Sequence, residues 1–532
     1  MGKDTTSVKV MKTELAKVED NALLIGFFKD KIELKAESKK LDDELNNIIS
    51  SYIKNNNFKG EKGEVKYIYI NKNIKNIVLV GLGEADKLNL DVLSMTIADV
   101  SKKLRDNEIE SFSILMSSFN NGKFSDEEVI EKITLSTLIG LYKFMQYKTK
   151  DKDKIKIIKQ ITIITDSNKN FDKEIKYSSI VADAVNKTRD IVNTPPNIAT
   201  PEYVANYARS MCKNFVSGMR VSEFVWNARA RSRSLISKLT RSQLTDKIFE
   251  CKIFDEKYIE QLGMGCFIGV AQGSINKPRL VILEYYGADK KQKPIAIVGK
   301  GVTFDSGGLN LKPYPFILNM KDDKGGAVAA LHIIEACAKL GLPINVIVIT
   351  PLCENMPSST SYRPDDVLTA YNGMTVEIKN TDAEGRLILA DALSYAAEFK
   401  PQVIIDIATL TGASLIALGY IGTPFLSTDE KLSEKIKQAS RNSMEKVWEF
   451  PLWPEYEENI KSDVADLKHI SEEGDAGVII GATFLKNFVN DIPWAHIDIG
   501  TTVWSKVDKG VLVKGATGIT VRLMMEMLRE WE

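Results

Sequence analysis

Two α/β domains are predicted for this chain, a smaller N-terminal one and a larger C-terminal one with a central mixed sheet flanked by helices. Three observations predict them. The length of 532 residues exceeds what a single hydrophobic core organises. The composition, 44% hydrophobic and 27% charged, is that of a folded globular chain rather than a disordered or coiled-coil one. Strand-sized apolar runs also alternate with helix-period stretches in both halves of the chain.

In the N-terminal domain, residues 1–175, Tyr67–Ile70, Ile77–Val80 and Ile161–Thr165 read as buried strands, and Asp86–Leu104 and Asp126–Tyr147 as helices. Gly81-Leu82-Gly83 follows a strand but lacks the third glycine of a dinucleotide fingerprint, so it reads as a tight turn. Tyr177–Val192 is a linking helix, within a 176–195 connection, that Pro195-Pro196 stops. In residues 196–532 the expected central strands are Ile295–Val298, Ile344–Ile349, Val403–Ile407 and Ala495–Ile499. Lys324–Lys339 and Leu387–Phe399 are Ala-rich helices. Between about 215 and 250 an insertion carries Arg220, Arg229, Arg231, Arg233 and Arg241 in a serine-rich setting. It reads as a solvated helix or surface loop; a grip on phosphates or an acidic partner is the alternative.

Several function classes are excluded. Lys+Arg and Asp+Glu both total 71, so no global field draws the chain to nucleic acid or an anionic membrane. The apolar runs are strand-sized, and the N-terminus has no apolar core of signal-peptide length, so a cytoplasmic protein is expected. The five cysteines form no CxxC pair, which fits a reducing compartment. The three histidines, His332, His469 and His496, are too scattered for an HExxH site. Any metal site must rest on carboxylates.

Two clusters carry such chemistry. In the first, the strand ending at Val298 runs into a glycine-rich loop with Lys300, Asp305 and Lys312, followed by Met320-Lys-Asp-Asp-Lys324. Carboxyl ends of strands are where open α/β sheets bind ligands. The second is Asn380-Thr-Asp-Ala-Glu-Gly-Arg-Leu387, between a strand at Thr375–Lys379 and a helix. Taken singly, the first is an irregular turn with surface lysines, and Asp322 or Asp323 and the second cluster are helix caps. A phosphate-binding loop would need GxxxxGK[ST], which is absent. Together, Asp305, Asp323, Asp382 and Glu384 offer four carboxylates from three loops, the oxygen-rich set that a pair of divalent ions requires. Two such ions would neutralise them, and Lys312 and Arg386 would then leave the site net positive, suited to an anionic tetrahedral intermediate.

The two clusters resemble the signature of the leucyl aminopeptidases of the M17 metallopeptidase family. NTDAEGRL at 380–387 and GKGVTFDSGGLNLK at 299–312 are its most specific motifs, and the likeness continues through 193–197, 363–369, DIATLTGA at 406–413 and Trp494–Ile499. The N-terminal half is similar only loosely. The resemblance implies hydrolysis of N-terminal, preferably leucine-like, residues from peptides by two zinc or manganese ions. It implies that Asp305 and Glu384 bridge the ions, that Lys300 and Asp323 complete one site and that Asp382 serves the other. Lys312 would polarise the scissile carbonyl, and Arg386 would hold a bicarbonate acting as base. Met320 would line the apolar pocket, backbone groups at Leu410 and Gly412 would align the peptide, and Lys300, Asp305, Lys312, Asp323 and Asp382 would also face the substrate. His496 reads as structural. A homohexamer is implied, and nucleic acid is not an expected partner.

This sequence departs from the family pattern in three places. Lys324 stands where a small or apolar residue is usual, placing a cation next to one ion site. Gly500 replaces an alanine, read as a packing change. The arginine-rich insertion interrupts a helix-to-strand connection.

Overall fold

The computed structural model describes residues 6–70, 72–150, 156–229 and 248–531. The chain divides into two compact units, Met1–Asn186 with Lys506–Lys514, and Lys187–Ser505 with Gly515–Glu532. The expected linking helix runs from Asp172 to Asn193 and contains the division.

In the first unit six strands form one sheet in the order Ser7–Met11, Gln160–Ile164, Ser111–Leu115, Ala22–Phe28, Asn76–Gly83, Val65–Tyr69. Every neighbouring pair is parallel except the last. Ala22–Phe28 is buried along its whole length, so it shows a continuous apolar run and no alternation. The Gly81-Leu82-Gly83 segment is not a free turn: the Asn76 strand continues through Gly83. A Cβ on Gly81 would lie 2.0 Å from the Glu61 carbonyl oxygen, so glycine there admits a close backbone crossing. The helix expected to reach Tyr147 ends at Gly140, where the Arg105 guanidinium donates to the Leu141 carbonyl and takes over from the helical ladder.

The second unit holds a nine-stranded mixed sheet among the described residues. At its centre Ile295–Gly299 pairs in parallel with Asn345–Asn355 on one side and Val403–Ala408 on the other. Trp494–Asp498 joins in parallel beyond Val403–Ala408, and Arg279–Tyr286 runs antiparallel to Asn345–Asn355. Helices Gly325–Leu340 and Glu384–Ala397 pack on this sheet through side chains such as Leu331, Ile334, Leu387 and Leu393, all inaccessible to solvent. Each such side chain contributes about 1.5–3 kcal/mol by burial. Asn345–Asn355 is longer than the strand expected at Ile344–Ile349, and the helix expected from Leu387 opens earlier, at Glu384.

No helix among the described residues is long and apolar enough to cross a membrane. All five cysteines are free. Of the arginine-rich segment, Arg220 and Arg229 fall in the helix Pro201–Arg229, and Arg231, Arg233 and Arg241 lie outside the described residues.

Candidate metal centre

The parallel strands of the second unit end together, and their ends carry the polar groups. Lys300 follows the Ile295–Gly299 strand, and Asp305 closes the short strand Gly301–Asp305, which pairs with the far end of Asn345–Asn355. Asp323 sits in a 3-10 turn, Met320–Lys324, ahead of the Gly325 helix, and neither it nor Asp322 caps that helix. Asp382 and Glu384 lie at the start of the next helix.

These loops bring all five expected ligand residues together. Asp305, Asp382 and Glu384 each place a carboxylate oxygen within 4.8 Å of the others. The Lys300 ammonium lies 2.7 Å from Asp323 Oδ1 and 2.8 Å from Glu384 Oε1, and donates to the Thr409 carbonyl at 2.7 Å. Lys312 bridges the other two acids, 2.8 Å from Asp305 Oδ2 and in contact with Asp382 Oδ1. Gly385 makes the first lysine's position possible, since a Cβ there would lie 2.5 Å from Lys300 Cε. The glycine of the NTDAEGRL segment is therefore a passage for Lys300.

Burial pushes the Asp305 carboxyl up to about 7, with neighbouring Glu384 adding to the effect and Lys312 and Lys300 opposing it. Burial raises Asp323 and Glu384 as well, against the pull of Lys300. Burial works to lower Lys300 and Lys312, but the surrounding carboxylates outweigh it and hold both above the usual lysine range. Asp323 Oδ2 is buried without a hydrogen-bond partner, and Glu384 Oε1 and Asp382 Oδ1 make no well-oriented hydrogen bond despite the nearby ammoniums. Carboxylates that are desolvated, crowded and under-satisfied would be held ionised by a bound cation. The donor set suits divalent ions. Lys300 would join it only after losing its proton.

Arg386 is buried but does not pair with the four acids. It donates to the His469 carbonyl at 2.5 Å, its Nε has no partner, and burial lowers it to about 10. Met320 opens the turn that carries Asp323 and is half-buried; Leu410 and Gly412 follow the end of the Val403–Ala408 strand. His496 is buried against Asp406, Nδ1 to Oδ1 at 2.6 Å, away from the ligand set.

Lys324 does not act as expected. Its side chain is fully buried and its ammonium donates to the carbonyls of Lys321, Val192 and Thr194 at 2.5, 3.4 and 3.5 Å. Lys321 donates to Asn193 O at 3.0 Å. Both cations therefore satisfy the carboxyl end of the Asp172–Asn193 helix rather than the acid cluster.

The residues that hold the expected ligand side chains in place carry little signal in the sequence. Asn355 donates 2.8 Å to Asp305 Oδ1 and 2.9 Å to Thr381 O. Thr409 donates 2.6 Å to Asp323 Oδ1. Thr381 donates 2.6 Å to the Gly307 carbonyl and ties the two signature loops to each other. His469 lies under Arg386 with Nε2 on the Asn380 carbonyl at 2.9 Å; burial, then Arg386, lowers it to about 4, which keeps it neutral. Thr409 sits inside a quoted motif and was findable; Asn355 and His469 carry no local signal.

A cluster of carboxylates and lysines at the carboxyl ends of a mixed α/β sheet is a candidate centre for divalent ions, the class of site that metal-dependent hydrolases use. Comparison with known proteins specifies it further. Residues 186–525 match the model described as the cytosol aminopeptidase family, catalytic domain, and residues 24–151 match that family's N-terminal domain. The chain belongs to the cytosol aminopeptidase (M17) family and is a metallo-exopeptidase. It is 36% identical over 530 residues to the "Probable cytosol aminopeptidase" of Alkaliphilus metalliredigens, covering 98% of this chain and 99% of that relative. The protein of the same name from Aquifex aeolicus is 37% identical over 475 residues, covering 89% and 88%. Among solved structures, a mutant of tomato leucine aminopeptidase superimposes with a TM-score of 0.83 at 28% identity, covering 99% of this chain and 96% of the other. The bottromycin maturation enzyme BotP in complex with Mn gives a TM-score of 0.80 at 26% identity, covering 96% and 99%.

Proposed function

We propose that this aminopeptidase is dinuclear and prefers leucine-like N-terminal residues. The observation that carries the reading is the convergence of Asp305, Asp382 and Glu384 within 4.8 Å, with Lys300 and Asp323 adjoining. Asp305 and Glu384 would bridge two zinc or manganese ions. Lys300 and Asp323 would complete one site, and Asp382 would serve the other through its carboxylate and its backbone oxygen. When bound, the ions supply Lewis-acid polarisation, water of lowered pKa and an anchor for the free amine of the substrate.

The remaining steps belong to the chain. Lys312, which stays protonated at neutral pH, stabilises negative charge as it develops on the scissile carbonyl oxygen. Arg386, with its unpartnered Nε, would hold bicarbonate, which would supply the base, a role for which no histidine stands among the four acids. Met320 lines the side-chain pocket, and the Leu410 and Gly412 backbones align the peptide. We assign this chemistry to residues 196–532, the domain beyond the 176–195 link. A homohexamer in the cytoplasm completes the reading. Tyr314, Phe316, Ile416 and Ile421 of the second unit are exposed apolar side chains available for self-association.

Hydrolysis of a fluorogenic leucine amide tests this. Protein stripped with a chelator should be inactive, manganese, cobalt or zinc should restore it, and the N-acetylated substrate should resist cleavage throughout. Equal cleavage of the acetylated compound would refute the requirement for a free amine.

A further inference from the structure

One buried carboxylate next to the centre has no part in the chemistry above. Asp498 ends the Trp494–Asp498 strand, is inaccessible to solvent, and pairs in register with Ala408, the last residue of the neighbouring parallel strand. From Ala408 the chain turns through Thr409, Leu410, Thr411 and Gly412 into the helix Ala413–Leu418. Asp498 Oδ1 accepts from Leu410 N–H at 3.0 Å, Thr411 N–H at 3.3 Å and Gly500 N–H at 3.0 Å. Its Oδ2 accepts from the Thr411 hydroxyl at 2.6 Å.

These bonds have a consequence on the opposite side of the turn. A trans peptide is planar, so an N–H aimed at Asp498 turns the preceding carbonyl the other way. The Leu410 N–H thus sets the direction of the Thr409 carbonyl, the group that receives the Lys300 ammonium at 2.7 Å. The Thr411 N–H sets the Leu410 carbonyl in the same manner. Thr409 also holds Asp323 through its hydroxyl. Gly500 permits the arrangement, because a Cβ there would lie 2.7 Å from the Thr411 carbonyl oxygen and crowd the turn away from Asp498. In this chain the glycine therefore relieves a close approach to the turn.

We infer that Asp498 is a positioning residue that fixes the Thr409–Gly412 turn, and through it both the Lys300–Asp323 side of the centre and the backbone groups offered to the peptide. The inference rests on the substrate-aligning role proposed for Leu410 and Gly412. It goes beyond that role by naming the group that enforces it.

The test uses the full-length, metal-loaded enzyme with Asp498→Asn, and with Thr411→Val as a milder change that removes only the hydroxyl bond. KM and kcat are measured for Leu-Gly-Gly and for a leucine arylamide, and manganese affinity is measured by titrating chelator-treated protein. A charge-assisted hydrogen bond contributes about 1.5–3 kcal/mol, so Asp498→Asn should raise KM for the tripeptide roughly tenfold or more and weaken manganese binding. The arylamide, which lacks the downstream backbone, should show the smaller KM change, and Thr411→Val should shift the same quantities in the same direction by less. A proportional loss of kcat on both substrates, with KM and manganese affinity unchanged, would reduce Asp498 to a structural role and overturn the inference. Unchanged constants in both variants would overturn it too, and if Asp498→Asn does not fold, Thr411→Val decides. Absence of metal-dependent cleavage by the unsubstituted enzyme would instead count against the proposed function, while the manganese titrations would still test Asp498.

Discussion

Glu384→Ala is expected to lower kcat for leucine amide hydrolysis by about a thousandfold or more, because it removes a carboxylate proposed to serve both ions at once. The fold should survive. Lys300 keeps Asp323 and the Thr409 carbonyl as partners, and the substitution deletes a buried acid whose ionisation burial opposes. In the metal-free protein the thermal midpoint should therefore hold or rise, which differs from the usual cost of breaking a buried ion pair. Circular dichroism on stripped protein, beside kinetics on manganese-loaded protein, separates the two effects. A near-normal rate from the variant would defeat the assignment of Glu384 as a shared ligand.

Lys312→Met carries the second large effect, and its signature differs. Lys312 is expected to act on the substrate rather than as a ligand, so its loss should reduce kcat by about a hundred- to a thousandfold, the range for deleting one stabiliser of a developing oxyanion. Manganese affinity should hold or tighten. In the metal-free protein the Lys312 ammonium neutralises Asp305 and Asp382, so removing it leaves those carboxylates in greater need of a cation. A variant with normal kcat and raised KM would show that Lys312 contributes only uniform binding.

What was legible in the sequence follows from how locally each feature is encoded. The central strands of the second unit are short buried runs bounded by breaks and could be found from the sequence, whereas the roles of the expected ligand residues came from the resemblance of their segments to family motifs. Ser7–Met11 was missed because it is a short, partly exposed strand, whereas Ala22–Phe28 is a continuous apolar run of the same kind as those recognised and was not singled out. The end of the Asp126 helix was misplaced because its stop depends on Arg105 from another element. The supporting groups were hidden by distance along the chain. Asn355 meets Asp305 from 50 residues away, and Thr409 meets Asp323 from 86. Lys324 illustrates the same limit, since it follows an expected ligand, Asp323, in sequence but donates to carbonyls, that of Lys321 nearby and those of Val192 and Thr194 some 130 residues earlier. A residue's identity reveals its chemistry, whereas its direction is set by packing that no local motif records.

Asp305 and Glu384 are proposed to be shared by two ions. An anomalous difference map from manganese-soaked crystals of the unsubstituted protein tests it most directly. Two peaks about 3.5–4 Å apart are expected, the separation typical of paired metal sites. Both should lie against Asp305 and Glu384, one also touching Lys300 and Asp323 and the other Asp382. A single peak, or a pair bound elsewhere while these carboxylates remain on Lys300 and Lys312, would contradict it.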